Sequence, residues 1–281
     1  MAKLPTVSIV GAGRVGGAIG RGLARAGYTI TAAWSRSRPG RQRAHRVLDV
    51  PVLEAADTAA AGDVVFLSVP DDAIAEMTAA IVPGLRKGQF VVHTSGGTSV
   101  DVLEPLRASG VRTGCLHPLQ TIADAERGAD ALQGAAVAVT SDNADRPALM
   151  RLARAWGGRP FALADEAKRI YHAAAVFASN YVVTSIWAAT TLFQSLGIRN
   201  AGELLGPLVR NSVDNVITRG GPKAITGPVA RGDAELVKLH VAALRAADPT
   251  DHAITDAYRA LARLTASLAG GDVERFERAT A

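Results

Sequence analysis

The sequence contains very little cysteine and few aromatic residues. Cys115 is the only cysteine in 281 residues, so no disulfide can form within the chain and a reducing compartment such as the cytoplasm is expected. Aromatic residues make up 5% of the chain, and with abundant alanine this composition favours helices over sheets.

The histidines His93, His117, His172 and His240 lack the spacing of metal ligands. We therefore predict no metal site.

Acidic residues are absent from the first 48 positions. Nine basic residues precede the first acidic residue, Asp49. A basic arm that binds nucleic acid is usually poor in apolar residues, whereas these arginines are interleaved with an apolar strand and helix pattern. We therefore expect the positive field to attract a small anion, and we predict no nucleic-acid partner.

Charge is also absent from a long segment in the second half. No charged residue occurs between Arg169 and Arg199, so the segment must be considered as a membrane span. It contains His, Ser, Asn, Thr and Gln, and much of its apolar character comes from alanine. We interpret it as a buried helix of a protein without a membrane-spanning segment. Because the helix is apolar nearly all round, we expect the second copy of a homodimer to cover part of it.

Strands and helices alternate in the first part of the chain. Predicted strands lie at 6–10, 28–34, 63–70, 89–94, 111–116 and 135–140, and predicted helices at 18–26, 71–82, 99–108 and 145–156. This alternation is typical of a parallel α/β sheet. From Asp165 onward only helices are predicted, at 165–196, 200–219, 232–247, 251–269 and 272–279.

A glycine-rich motif follows the first predicted strand. The sequence Gly11-Ala-Gly13-Arg14-Val15-Gly16 has the form G-x-G-x-x-G and opens a predicted helix. Gly11 allows a tight turn, Gly13 lets a pyrophosphate approach the backbone, and Gly16 lets helix and strand pack closely. We therefore predict an α/β fold with an N-terminal Rossmann dinucleotide-binding domain at 1–163 and an all-α dimerisation domain at 164–281.

The end of the second strand indicates which dinucleotide binds. Enzymes that use NAD usually place an acid there to hold the ribose 2′-hydroxyl, but here the sequence is Trp34-Ser35-Arg36-Ser37-Arg38. Hydroxyls and a guanidinium suit a 2′-phosphate, so we predict NADP(H) as the cofactor. The predicted cofactor-binding residues are Gly11, Gly13, Arg14, Val15, Gly16, Ser35, Arg36, Ser37, Val69 and Pro70.

Several longer motifs resemble those of a known family. They are GAGRVG at 11–16, LSVPDDAI at 67–74, HTSG at 93–96, LHPLQT at 116–121, YHAAAVFASNY at 171–181 and TGPVARGD at 226–233. The chain resembles Rossmann-like NADP oxidoreductases whose helical C-terminal half was long a domain of unknown function. These proteins are distant relatives of ketopantoate reductases, pyrroline-5-carboxylate reductases and β-hydroxyacid dehydrogenases. The resemblance implies a dimerisation domain like that of 6-phosphogluconate dehydrogenase and an active site between the two domains.

The chain departs from these relatives at the predicted catalytic helix. The relatives carry a catalytic lysine followed four residues later by an asparagine, whereas here Lys168 is followed by His172. Either Lys168 keeps the lysine's role, or His172 has replaced it and Asn180 matches a second asparagine of the ketopantoate reductase helix. On a helix Lys168 and His172 lie about 6 Å apart along the axis and could share one substrate oxygen. We favour His172 as general acid because its ordinary pKa is nearest neutrality.

Other polar residues are candidates for contact with the substrate. Ser95, Gly96 and His117 follow predicted strands at one edge of the sheet, and Ser179 shares a helix face with His172. Arg231 is a candidate for holding a substrate carboxylate. We predict reduction of a small carbonyl acid, with ketopantoate the leading substrate. Imine reduction and a non-catalytic NADP-binding sensor remain as alternatives.

Overall fold

The computed structural model describes residues 3–247 and 250–280. Within these ranges the chain forms two compact units that divide between Ser179 and Asn180. The strands of the first unit are β1 Val7–Val10, β2 Ile30–Trp34, β3 Val64–Leu67, β4 Phe90–His93, β5 Arg112–Pro118, β6 Ala136–Ser141 and β7 Arg159–Ala162. Its helices are α1 Arg14–Arg25, α2 Arg38–Leu48, α3 Ala55–Ala60, α4 Ile74–Ile81, α5 Ala125–Ala131, α6 Arg146–Ala155 and α7 Lys168–Ala178.

The seven strands form one sheet in the order β2-β1-β3-β4-β5-β6-β7. The five strands from β2 to β5 are parallel, as predicted. Their short runs of Val, Ile, Ala and Phe are buried because helices cover both faces of the sheet. Their carboxyl ends meet at one edge, and the loops at this edge carry the polar side chains described below.

The sheet is parallel, as predicted, except at β6, which runs antiparallel to β5. The connection between these strands begins and ends at the same edge of the sheet. Its helix, α5, packs on α1 instead of crossing the sheet, since a Cβ on Gly128 would lie 2.6 Å from the Cβ of Ala18. Strand β7 was missed because it is a short, largely exposed edge strand that contains Pro160.

Several helices also differ from the prediction. Helices α2, α3 and α5 were not predicted. The predicted helix at 99–108 is a 3-10 helix, Val100–Ser109, with Pro105 inside it. Helix α7 packs with the sheet unit, so the first compact unit extends to Ser179 although the last strand ends at Ala162, next to the predicted boundary at 163.

In its described residues the second unit contains helices joined by loops, and no strands. Its helices are α8 Asn180–Ser195, α9 Ala201–Arg219, α10 Gly221–Ala224, α11 Ala234–Ala247, α12 Ala253–Leu268 and α13 Val273–Thr280. A small core joins α11, α12 and α13 through Val237, Ala266 and Phe276. The bounds of α9, α11, α12 and α13 follow the predicted helices closely, whereas α10 was not predicted.

The long apolar helix differs from its prediction in two ways. It is interrupted at Ser179, whose backbone leaves the helical region (φ −128°, ψ −72°) and whose hydroxyl donates to the carbonyl of Ala175 at 2.7 Å. The helix is also not buried in the single chain, and Val183 is 67% exposed and Trp187 59% exposed. Within the described residues, Asp165–Ser195 is the one helical stretch long and apolar enough to cross a membrane by length and composition.

Candidate active site

The glycine-rich turn joins β1 to α1 in the geometry that its sequence predicts. Gly11 has φ +100°, which favours glycine, and a Cβ there would lie 2.3 Å from the carbonyl oxygen of Ser68. A Cβ on Gly16 would lie 2.3 Å from the carbonyl oxygen of Gly11. Both positions therefore need glycine for the turn and for close packing of the helix.

Gly13 needs glycine for a different reason. A Cβ at this position would meet no protein atom within 4 Å, and the backbone has an ordinary φ of −77°. Gly13 is the N-cap of α1, no side chain caps this helix, and its first turn contains no acidic residue. The free N–H groups of the helix and the open space above Gly13 fit a phosphate group.

The residues that follow β2 form the next part of the site. Ser37 caps α2 and accepts a hydrogen bond from the Gly40 N–H at 3.1 Å, and the first turn of α2 contains no acidic residue. The hydroxyl of Ser35 also lies at this helix terminus, because a Cβ on Gly40 would lie 2.1 Å from it. Arg36 is exposed beside these hydroxyls. This arrangement suits an anion at the end of β2.

Two adjoining pockets connect these elements. One, of about 420 Å³, is lined by Ser35, Arg36 and Ser37, and the other, of about 400 Å³, by His117 and His172. The two pockets share the lining residues Gly13, Ser68, Val69 and Pro70. An extended dinucleotide can therefore run from the end of β2, over the α1 terminus, to the histidines.

The histidines meet beside the loop that follows β4. His117 lies at the end of β5, His172 lies on α7, and their ring centroids are 5.9 Å apart. A Cβ on Gly96 would lie 2.8 Å from His117 Nε2 and 2.7 Å from His172 Cδ2. Both predicted histidines thus line one pocket, and Gly96 leaves the room that their rings need.

His117 is held by a tyrosine that the sequence analysis did not select. The Nδ1 atom of His117 lies 2.8 Å from the hydroxyl of Tyr171, and the two rings meet edge to face at 5.5 Å. Burial, together with nearby His172 and Lys168, lowers the pKa of His117 to about 4. Burial raises the pKa of Tyr171 to about 12. Near neutral pH the imidazole of His117 is therefore uncharged and the phenol keeps its proton.

Ser95 organises the loop between β4 and the histidines. Its hydroxyl is 2.8 Å from the Asp71 carboxylate and 2.9 Å from the Thr98 hydroxyl, and it accepts the Thr98 N–H at 3.0 Å. The Ser95 N–H donates to Nδ1 of buried His93 at 3.2 Å, and burial lowers the pKa of His93 to about 3. Ser95 lines the pocket as predicted, but these contacts already engage its hydroxyl.

Lys168 lies behind this loop. It is 1% exposed, and its Nζ donates to the Ser95 carbonyl and to the Cys115 Sγ, both at 3.0 Å. The thiol of Cys115 also donates to the Ser95 carbonyl, and burial raises the pKa of this thiol. In the part of the chain that the structure describes, Lys168 is not among the residues that line the histidine pocket. Its contacts are those of a group that supports the loop.

The remaining predicted site residues lie at the end of the first unit or in the second unit. Ser179 ends the first unit, Asn180 is the first residue of α8, and Arg231 is an exposed residue in the loop before α11. Asn180 and Arg231 belong to the second unit. Their roles in binding or catalysis stay predictions.

Sequence reasoning missed two residues of the site, Tyr171 and Asp71. Asp71 was not among the predicted site residues, although it follows β3 at the edge where the cofactor is expected. Tyr171 directly precedes His172, but sequence gives no means of pairing it with His117, which is 54 residues away. Across residues 3–247 and 250–280, no group of three or more His, Cys, Asp or Glu side chains could hold a metal ion.

Two family models match consecutive parts of the chain. Residues 2–118 match a Rossmann-like domain, and residues 135–265 match DUF2520, a domain of unknown function. A comparison with curated protein sequences found no match.

Solved structures resemble the chain over nearly its whole length. A Bacteroides fragilis protein described as a candidate NADP oxidoreductase is 23% identical, with a TM-score of 0.81 and coverage of 94% of this chain and 98% of its own. The imine reductase from Myxococcus stipitatus in complex with NADP+ is 17% identical, with a TM-score of 0.67 and coverage of 97% and 100%. The reductive aminase from Aspergillus terreus in complex with NADPH and ethyl levulinate is also 17% identical, with a TM-score of 0.69 and coverage of 98% and 99%. These likenesses show that the chain shares a fold with these proteins.

Proposed function

We propose that this chain, which joins a Rossmann-like domain to a DUF2520 domain, is an NADPH-dependent reductase of small carbonyl acids, with ketopantoate the leading substrate. The observation that carries the proposal is the continuity of the two pockets. One pocket offers hydroxyls and arginine for a 2′-phosphate, and the other places two histidines at the opposite end. The cofactors named for the solved neighbours, NADP+ and NADPH, support this assignment.

The pocket residues match what a carbonyl reduction requires. Reduced nicotinamide, when bound, supplies a hydride to the carbonyl carbon. The forming alkoxide then needs a hydrogen-bond donor and a proton. His117 and His172 both line this pocket beside Gly96, so we propose them as the groups that contact the substrate oxygen. Lys168 keeps the loop in place and leaves proton donation to the histidines.

The test is NADPH oxidation by the purified chain with ketopantoate and related 2-oxo acids, with NADH as the control cofactor. The proposal predicts turnover that is faster with NADPH than with NADH. Tight NADPH binding without turnover of any carbonyl or imine would contradict it and favour the sensor alternative.

Imine reduction is a second candidate function. The Asp71 carboxylate lines the histidine pocket and could pair with a cationic iminium, and two of the solved neighbours are an imine reductase and a reductive aminase. Turnover of a cyclic imine such as pyrroline-5-carboxylate, lost in Asp71→Asn, would support this function. Turnover of a carbonyl acid alone would exclude it.

We further propose that a second copy of the chain, and not a membrane, covers the exposed side of α8. Val183 and Trp187 are one helical turn apart and are 67% and 59% exposed. The chain would then be a homodimer in the cytoplasm. Sedimentation equilibrium should show a dimer that Trp187→Glu dissociates and Leu4→Glu, a change of an exposed leucine in the first unit, does not. A concentration-independent monomer, or partition into lipid vesicles, would contradict this assembly.

A further inference from the structure

We propose that Tyr171 and His117 form a proton relay, in which Tyr171 supplies the proton that reaches the substrate oxygen through Nε2 of His117. The inference rests on the proposed function and narrows it. A relay that ends in a proton donor serves an uncharged carbonyl, whereas a protonated imine accepts hydride without a further proton. The substrate class that fits the relay is therefore a carbonyl acid.

Contacts on both sides fix the orientation of the two rings. The Tyr171 hydroxyl and His117 Nδ1 are 2.8 Å apart, and this is the hydroxyl's one hydrogen bond to the described residues. Phe161 packs edge to face on the tyrosine ring with centroids 6.0 Å apart. Because His117 lies in a strand of the sheet, its backbone is held as well.

In the relay the Tyr171 phenol is the donor and Nδ1 of His117 is the acceptor. An uncharged imidazole carries one proton, on Nδ1 or on Nε2. The phenol keeps its proton because burial raises the pKa of Tyr171 to about 12, and its hydrogen-bond partner is Nδ1 of His117. When the phenol donates to Nδ1, the imidazole proton must lie on Nε2. His117 lines the pocket, and its Nε2 lies beside Gly96, 2.8 Å from the position that a Cβ on Gly96 would take.

The proton transfer balances without charging the imidazole. Bound nicotinamide would supply the hydride of the new C–H bond, and the carbonyl oxygen would become an alkoxide. The Nε2 proton moves to that oxygen while the phenol proton moves to Nδ1, so His117 changes tautomer and Tyr171 becomes a phenolate. A proton from solvent then binds Nε2 while the Nδ1 proton returns to the phenolate of half-buried Tyr171, which restores both groups.

The charges around the pair favour this route. His172 and Lys168 lower the pKa of His117 and Asp71 raises it, but the balance with burial leaves the imidazole neutral. A doubly protonated His117 is therefore not the proton source near neutral pH. A transfer that keeps His117 neutral avoids placing a new cation beside Lys168 and His172.

The experiment combines kinetics with the ¹⁵N NMR spectrum of histidine-labelled full-length chain. Tyr171→Phe removes the relay hydroxyl. Tyr258→Phe is the matched control, since Tyr258 makes the same contact with His240 Nδ1 in the second unit, at 2.7 Å. We expect Tyr171→Phe to lower kcat for the carbonyl substrate about 100-fold and to leave the Kd for NADPH unchanged. We expect Tyr258→Phe to change neither value.

The NMR spectrum tests the tautomer without any turnover. His117, identified by the signals lost in His117→Asn, should show protonated Nε2 and unprotonated Nδ1 near neutral pH, and Tyr171→Phe should shift this equilibrium. A protonated Nδ1 in the wild type would overturn the relay, as would carbonyl turnover by Tyr171→Phe within about twofold of wild type. If the wild type reduces no carbonyl, the proposed function fails, and the spectrum still decides the tautomer.

Discussion

Replacing Gly13 by alanine tests the cofactor site with little effect on the fold. The added methyl group would meet no protein atom within 4 Å, and φ at this position is −77°, so the backbone is not strained. We expect the free energy of unfolding to change by less than about 1 kcal/mol. The methyl group would occupy space above the N-terminus of α1, where the two pockets adjoin and a pyrophosphate must approach.

The size of the binding defect follows from the hydrogen bonds lost. Moving the phosphate away from the helix terminus removes at least one charge-assisted hydrogen bond, which contributes about 1.5–3 kcal/mol. The Kd for NADPH should therefore rise about 10- to 150-fold. Isothermal titration calorimetry measures this change, and thermal unfolding of the same samples checks the fold.

A matched variant controls for a general effect of alanine. A methyl group added at Gly202, on α9, would also meet no protein atom within 4 Å, and Gly202→Ala should leave the affinity for NADPH unchanged. Gly11→Ala should instead destabilise the fold, because its Cβ would lie 2.3 Å from the Ser68 carbonyl at φ +100°. A folded Gly13→Ala chain that binds NADPH as tightly as wild type would refute the assignment of this turn.

Three further predictions concern specificity, loop support and pH. Arg36→Asp should lower the NADPH/NADH affinity ratio at least about 10-fold in parallel titrations, and an unchanged ratio would exclude a 2′-phosphate at this residue. Lys168→Met should reduce the free energy of unfolding, measured with denaturant, by about 1–3 kcal/mol, since the Ser95 carbonyl loses a buried donor. If this variant keeps its stability but loses turnover, Lys168 is the proton donor instead. Burial lowers the pKa of His117 to about 4 and of His93 to about 3, from 6.5, so the unfolded chain binds more protons below pH 6.5. The free energy of unfolding should be highest above pH 6.5 and fall as the pH drops towards 4, by about 1.4 kcal/mol per pH unit for each histidine. If the free energy of unfolding of His117→Asn falls as steeply as that of the wild type, this explanation is wrong.

The parts of the site that could be predicted from the sequence are those whose geometry is determined by residues close together in the chain. The turn at Gly11 follows β1 directly and opens α1, so neighbouring residues determine its shape. The acid-free end of β2 could be recognised for the same reason. The histidines could be proposed because His117 follows a predicted strand and His172 interrupts an apolar helix.

Features that depend on distant contacts could not be predicted. The antiparallel entry of β6 depends on α5 packing against α1, which involves close contacts between small residues such as Gly128 and Ala18. The pairing of Tyr171 with His117 and the burial of Lys168 against Cys115 join residues more than 50 positions apart. Helix α8 is exposed in the single chain. An apolar sequence pattern predicts that a helix is covered, but it does not tell whether the same chain or a second copy covers it.

The most direct test of the central claim is transfer of the hydride itself. The purified chain would be incubated with NADPH that carries deuterium at both C4 positions of the nicotinamide, together with ketopantoate and a set of 2-oxo acids, and the products examined by mass spectrometry. We expect a hydroxy acid with one deuterium on the former carbonyl carbon, formed faster from NADPH than from NADH. NADPH that binds but transfers no deuterium to any carbonyl acid would contradict it.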